Sequence, residues 1–234
     1  MNERMPTAYS GYPGHAGGGA LADRNRVLRN TYWLLALSLV PTVLGAWVGV
    51  STGIMAMMSP GVSLVVFLLG AFGLMFGIER TKNSSTGVVM LLAFTFFMGL
   101  MLSRLIGLML GFKNGSSLIM MAFGGTAGVF FAMAALATVI KRDLSGLGKF
   151  LFVGAVIVLI AGLINFFVQS TAMMLALNVI VMGLFSAFML VDIKRVMDGG
   201  ETNYISATLA IYLDLYNVFQ ALLSLLGIFG GERE

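Results

Sequence analysis

The sequence predicts an all-α integral membrane protein, a bundle of seven transmembrane helices. Three observations predict it. Of the 234 residues, 59% are hydrophobic and only 10% are charged, with a mean hydropathy of +0.96. The apolar residues fall into seven stretches, each near the ~20 residues that cross a hydrocarbon core. The cations fall mainly in alternate connections between those stretches, as in multi-pass proteins. A soluble domain of this composition would be apolar on every face. A bilayer accommodates such surfaces, and helix is the economical spanning form because it satisfies its own backbone hydrogen bonds.

In chain order, residues 1–29 come first. They are polar and Gly-rich, carry Pro6 and Pro13, and read as a disordered cytoplasmic tail. They do not read as a signal peptide. The apolar run behind them is too long and has no clear cleavage site, so the first span is expected to be an uncleaved anchor. The membrane domain is expected over 30–230, with spans near 30–50, 60–79, 87–110, 117–140, 147–168, 173–192 and 205–229. Short connections make neighbouring spans antiparallel hairpins.

With the N-terminus inside, the inner segments hold eleven cations: Arg4, Arg24, Arg26, Arg29, Arg80, Lys82, Lys141, Arg142, Lys149, Lys194 and Arg195. The outer segments hold two, Lys113 and Arg233. That bias places the N-terminus in the cytoplasm. Seven crossings then place the C-terminus outside, unless the last span, which carries Asp214, dips in and returns. Arg104 lies near the outer end of the third span, where snorkelling accounts for it. The net charge of +4 is explained by orientation and calls for no nucleic acid.

Composition removes several chemistries. There are no cysteines, and the single histidine, His15, lies in the tail. Disulfides, thiolate chemistry, histidine metal clusters and Ser-His-Asp triads are therefore absent from the membrane domain. The pairs Gly45/Gly49, Gly73/Gly77, Gly107/Gly111 and Gly124/Gly128 read as close-packing sites between helices. The run Gly124-Gly125-Thr126-Ala127-Gly128 lacks a P-loop lysine and is no phosphate cradle. The 18 methionines read as gap fillers.

Two acids are left over. Asp192 ends the sixth expected span, and Asp214 lies well inside the seventh, where an ionisable group is costly and points to function. Asn203 sits near the middle of the hairpin, with Asp192 eleven residues before it and Asp214 eleven after. Residues equidistant from a hairpin turn lie at similar depth, so the two carboxyls are expected to meet. Asn217, Ala221 and Ser224 share a helical face with Asp214. On the sixth span Asn178, Ser186 and Asp192 spread over a wider arc. Two carboxyls in one poorly hydrated site cannot both ionise cheaply, and they titrate as a pair. Doubly ionised, the pair attracts a cation such as Ca²⁺ or recruits an arginine, for which Arg80 at the inner end of the second span is the candidate. Two carboxylates fall short of the six to eight oxygens that Ca²⁺ takes, so binding is expected to be weak and transient, with help from Asn217, backbone carbonyls and water. The bland alternative is an acid that simply reaches water at the membrane edge.

The stretches Gly199-Gly200-Glu201-Thr202-Asn203-Tyr204, Tyr212-Leu213-Asp214-Leu215-Tyr216-Asn217 and Leu222-Leu223-Ser224-Leu225-Leu226-Gly227 resemble the end of the Bax-inhibitor-like family of membrane proteins. Arg29-Asn30-Thr31-Tyr32 and Ala122-Phe123-Gly124-Gly125-Thr126-Ala127 are similar to its bacterial branch. The resemblance spans roughly residues 25–230. It implies a seven-helix bundle with a central seventh helix in the bacterial inner membrane. It also implies a pH-sensitive Ca²⁺ leak gated by Asp192 and Asp214, with Arg80 near the place of an arginine that contacts the pair. Likeness to the bacterial branch implies a partner as well, the membrane-anchored AAA protease FtsH, whose digestion of membrane proteins would be restrained. The tail, beginning Met1-Asn2-Glu3-Arg4, would be the part such a protease seizes.

Three classes of function are therefore weighed: a protease-binding regulator, a pH-gated cation leak, and an intramembrane enzyme or photoreceptor. The third fails on residues. A rhomboid-type protease needs a membrane histidine, and a retinal protein needs a lysine in its last span, which residues 205–229 lack. No cofactor is expected beyond transient Ca²⁺.

Overall fold

A computed structural model describes residues 16–232. Among them all regular structure is helical: α1 (Ala16–Thr52), α2 (Ile54–Met57), α3 (Pro60–Thr81), α4 (Ser85–Leu110), α5 (Gly115–Val139), α6 (Ser145–Val168), α7 (Thr171–Met197) and α8 (Tyr204–Gly230). Seven of these are long and apolar enough to cross a membrane; α2 is a single turn. At 1.5 Å per residue the shortest of the seven, α3 with 22 residues, spans about 33 Å, enough for a hydrocarbon core.

Helix α1 differs from expectation at its start. It begins at Ala16, so residues 16–29 are helical rather than a disordered tail. Alanine, leucine and arginine in that stretch favour helix, and the Arg24 guanidinium donates to the Met197 carbonyl, tying the extension to the end of α7. Residues 1–15 lie outside the described residues, including Met1, Asn2, Glu3 and Arg4. Helix α7 also runs further than expected, to Met197. Asp192 is therefore inside a helix, not at its end.

The last helix is the centre of the bundle. α8 packs on α1, α4, α5 and α7 and touches α3. Its buried face carries Ile211, Tyr212, Val218 and Leu223, all at most 1% exposed. Phe94 and Leu91 of α4, Ile78 of α3 and Met189 and Ile193 of α7 close around it. Lipid tails are as apolar as these side chains, so close packing and interhelical hydrogen bonds hold such a bundle. The Thr42 and Tyr212 hydroxyls are 2.9 Å apart. Tyr212 also reaches the Thr95 carbonyl at 3.4 Å, and Tyr216 donates to the Met98 carbonyl at 3.3 Å. These bonds lock α8 to α1 and α4.

α1 and α4 make the most intimate helix pair. Gly45 faces the Phe96 carbonyl, Gly49 faces the Ser103 side chain, and Gly99 faces the Thr42 carbonyl, each too close for any Cβ. Of the four small-residue pairs, only Gly45/Gly49 brings two backbones together in this way. Gly73, Gly107, Gly124 and Gly128 have nothing within 4 Å of a Cβ position and leave their surface to lipid.

Both ends of α8 are anchored. At one end Asn203 caps the helix, its Oδ1 accepting from the amides of Ile205 and Ser206 at 2.9 and 3.1 Å. Its Nδ2 donates to the Lys82 carbonyl and to Asn83 Oδ1, at 3.0 and 2.9 Å, in the α3–α4 connection. At the other end Asn114 Nδ2 donates to the Gly230 carbonyl at 2.6 Å, and the Lys113 amide to the Glu232 carbonyl at 3.1 Å, in the α4–α5 connection. Since α4 joins those two connections, α8 crosses the whole bundle and does not re-enter. The Arg24–Met197 contact puts the start of α1 at the Asn203 end, opposite Glu232.

Candidate functional site

The turn that brings the two acids together is built from local signals. The last turn of α7 closes with the Gly199 amide donating to the Val196 carbonyl at 3.2 Å and the Gly200 amide to the Arg195 carbonyl at 2.9 Å. Gly199 has φ +80°, the left-handed conformation that glycine adopts at a helix end without steric cost. Lys194 pairs with Asp198 at 2.8 Å, a cation placed favourably at the helix C-terminus. Glu201 Oε1 accepts from the Asn203 amide at 2.8 Å, and Asn203 starts α8. The turn sends α8 back along α7, and Asp192 and Asp214, each eleven residues from Asn203, come to the same seam.

Asp192 and Asp214 lie near enough across the α7–α8 seam for each to act on the other's charge. Asp214 is 4% exposed, and Asp192 is half-buried. With both groups ionised, Asp214 Oδ2 has no hydrogen-bond donor. A proton on Asp192 would supply one. Loss of the proton leaves two anions in one small space, an arrangement that costs free energy unless a cation enters. The charged groups that act on Asp192, apart from its partner, are Arg195 on its own helix and Glu201 in the turn.

The other expected members stand apart from the pair. Arg80 is exposed, with its guanidinium 4.9 Å from the centroid of the Phe76 ring. It is not among the charges acting on either carboxyl. Phe76 lies one turn before it on the same helix, and stacking on that ring holds the guanidinium locally. Asn217 turns its amide back to its own helix, Nδ2 donating to the Leu213 carbonyl at 2.8 Å. A second polar contact crosses the same seam nearer the Asn114 end, where Asn178 Nδ2 donates to Ser224 Oγ at 2.9 Å.

For a bound metal the fit is thin. Among the described residues no group of three or more His, Cys, Asp or Glu side chains converges, and two carboxylates fall short of a Ca²⁺ shell.

Several functional contacts escaped the sequence reading. Asn203 was legible only as a hairpin midpoint, although an Asn just before an apolar helix is an N-cap signal. Tyr212 and Tyr216 flank Asp214 in the motif without revealing that their hydroxyls bond to α1 and α4. The partner of Arg24 lies 173 residues away, and no local pattern encodes it.

Comparison with known proteins adds the lineage. The model of the family described as "Inhibitor of apoptosis-promoting Bax1" matches residues 24–231, all seven spans included. The chain belongs to the Bax inhibitor family. Among its relatives is a protein of Escherichia coli K12 named "Modulator of FtsH protease YccA", 39% identical over 208 residues, which cover 89% of this chain and 92% of that one. A counterpart in E. coli O6:H1 is named "Inner membrane protein YccA", with the same identity and coverage. A membrane protein of Vibrio cholerae is 41% identical over 206 residues, covering 88% of this chain and 91% of its own. The family and relative names describe an inhibitor or a modulator rather than an enzyme. This Bax inhibitor family member is thus a multi-pass membrane protein of seven spans around a central last helix.

Proposed function

We propose that the protein is an inner-membrane regulator that binds and restrains a membrane-anchored AAA protease of the FtsH type. The likeness to the E. coli FtsH modulator, which runs through 92% of that relative, carries this reading. Among the described residues the Asn203 end of the bundle holds Arg24, Arg26, Arg29, Arg80, Lys82, Lys141, Arg142, Lys149, Lys194 and Arg195, whereas the opposite end holds Lys113, with Arg104 inside α4 near that end. By the positive-inside rule the first is cytoplasmic and the C-terminus is periplasmic. The start of α1 then lies on the side where a cytoplasmic AAA ring works, and the N-terminal segment beginning Met1-Asn2-Glu3-Arg4 is the part proposed for the protease to seize. The test is copurification from membranes. The full chain should retain an FtsH-type protease and slow its digestion of a membrane substrate. Failure to retain it under mild detergent refutes the reading.

A second reading rests on the facing carboxyls of Asp192 and Asp214: a pH-sensitive leak for Ca²⁺, with or without a protease partner. A shared proton closes the seam between α7 and α8. When the proton leaves, the doubly negative site draws a hydrated cation from the cytoplasmic end. The observable is Ca²⁺ flux into liposomes holding the purified protein, measured across pH. Asp214→Asn should abolish the pH dependence, and absence of flux at every pH refutes the leak alone.

A further inference from the structure

Helices α5 and α6 are consecutive in the chain and joined by residues 140–144, yet they make almost no contact with each other. α6 packs on α7 alone, whereas α5 packs on α4, α7 and α8. The flank between α5 and α6 is open to lipid, and their connection bridges it at the Asn203 end.

That connection and the first turn of α6 carry three cations. Lys141, Arg142 and Lys149 are all exposed, and neither of the salt bridges found among the described residues involves them. The acid beside them is already engaged. Asp143 accepts from the Ser145 amide at 2.9 Å and from its hydroxyl at 2.8 Å, which caps α6. Four other cations at this end are partnered within the protein: Lys82 with Glu79, Lys194 with Asp198, Arg24 with the Met197 carbonyl, Arg80 with Phe76; Arg26, Arg29 and Arg195 are in neither salt bridge and do not flank an open seam between two helices. Around these cations the surface is also apolar, with Val139 73%, Leu147 37% and Phe150 74% exposed. Gly146 has nothing within 4 Å of a Cβ position, so nothing blocks the approach from the bilayer.

We propose that this face binds an anionic phospholipid, its phosphate among Lys141, Arg142 and Lys149 and its acyl chains against Val139, Leu147 and Phe150. The argument is charge complementarity at a fixed depth. Three uncompensated cations stand at the boundary where apolar surface gives way to polar, and a phosphodiester is the anion a bilayer delivers at that depth. Arg142 offers a planar fork to two phosphate oxygens, and the lysines act as point charges. Such interfacial basic groups are the recognised means of selecting anionic lipid.

The test uses the full chain, delipidated in neutral detergent and examined by native mass spectrometry after addition of cardiolipin, phosphatidylglycerol or phosphatidylcholine. The wild type should retain the two anionic lipids about tenfold over the neutral one. K141Q/R142Q/K149Q should lose that preference while keeping its elution volume and helical dichroism. R26Q/R29Q/K82Q removes equal charge from the same end and should keep the preference within about twofold. Arg142→Gln alone, on a surface connection, should weaken it about fivefold. Equal retention of all three lipids by the wild type overturns the proposal. So does an equal loss in R26Q/R29Q/K82Q, which would reduce the effect to diffuse surface charge.

Discussion

The hydroxyls of Thr42 on α1 and Tyr212 on α8 are 2.9 Å apart, two residues before Asp214. Thr42 also donates to the Ser38 carbonyl, so it keeps a partner if Tyr212 loses its hydroxyl. Tyr212→Phe should therefore cost about 1 kcal/mol or less, the usual net worth of one hydrogen bond. Tyr212→Ala empties a fully buried site and should cost about 3–5 kcal/mol. Thermal unfolding in detergent distinguishes the two.

Gly99 lies against the Thr42 carbonyl where α4 crosses α1. The obstacle is backbone, which cannot swing aside, so Gly99→Ala must push the helices apart. It should lower stability by about 1–3 kcal/mol, as overpacking does. Gly124→Ala adds the same methyl where nothing lies within 4 Å, and should be neutral or slightly stabilising through helix propensity. An equal loss in both variants would deny the α1–α4 crossing its role.

Asp192 and Asp214 separate structural from functional roles. In Asp214→Asn an amide N–H takes the place of the shared proton, so unfolding should shift by no more than about 1 kcal/mol. Ca²⁺ flux through the variant should become flat in pH. Asp192→Asn should act the same way, and the double variant should add little if the two acids work as the proposed unit.

Asp143 gives a pH effect outside the membrane. Hydrogen bonds from the Ser145 amide and then its hydroxyl hold the Asp143 carboxyl below the usual carboxylate range. A depressed value means the cap is in place above the ordinary Asp value near ~3.9 and is lost as pH falls through the lower, folded-state value. Hydrogen exchange at Ser145 and the first turn of α6 should accelerate over that acid window. Asp143→Ala should show fast exchange at every pH.

Seven spans and the facing acids were legible because both rest on short-range rules. Apolar length marks a crossing, and equal distance from Asn203 sets depth in a hairpin. What was not legible depends on distant partners or on local side-chain choices. The helicity of residues 16–29 is supported by Arg24 meeting Met197, far along the chain. Arg80 had a suitable position for a counter-charge, but sequence does not say that Phe76, one turn away, holds it. Asn217 shares a face with Asp214 and yet spends its amide on Leu213, a rotamer choice that periodicity does not encode. Gly45 and Gly124 look alike as small-residue motifs, and only the three-dimensional neighbour of each decides which one packs.

The position of α8 has a consequence for biogenesis. The helix around which the rest is arranged is the last of the described spans to be synthesised. Until Tyr204 to Gly230 are made, the carbonyls of Thr31, Thr95 and Met98 lack the hydroxyls that Thr208, Tyr212 and Tyr216 bring to them. The six spans that precede it wait with an unfilled middle, and a chain stopped before Tyr204 would lack the surface on which α1, α4, α5 and α7 meet.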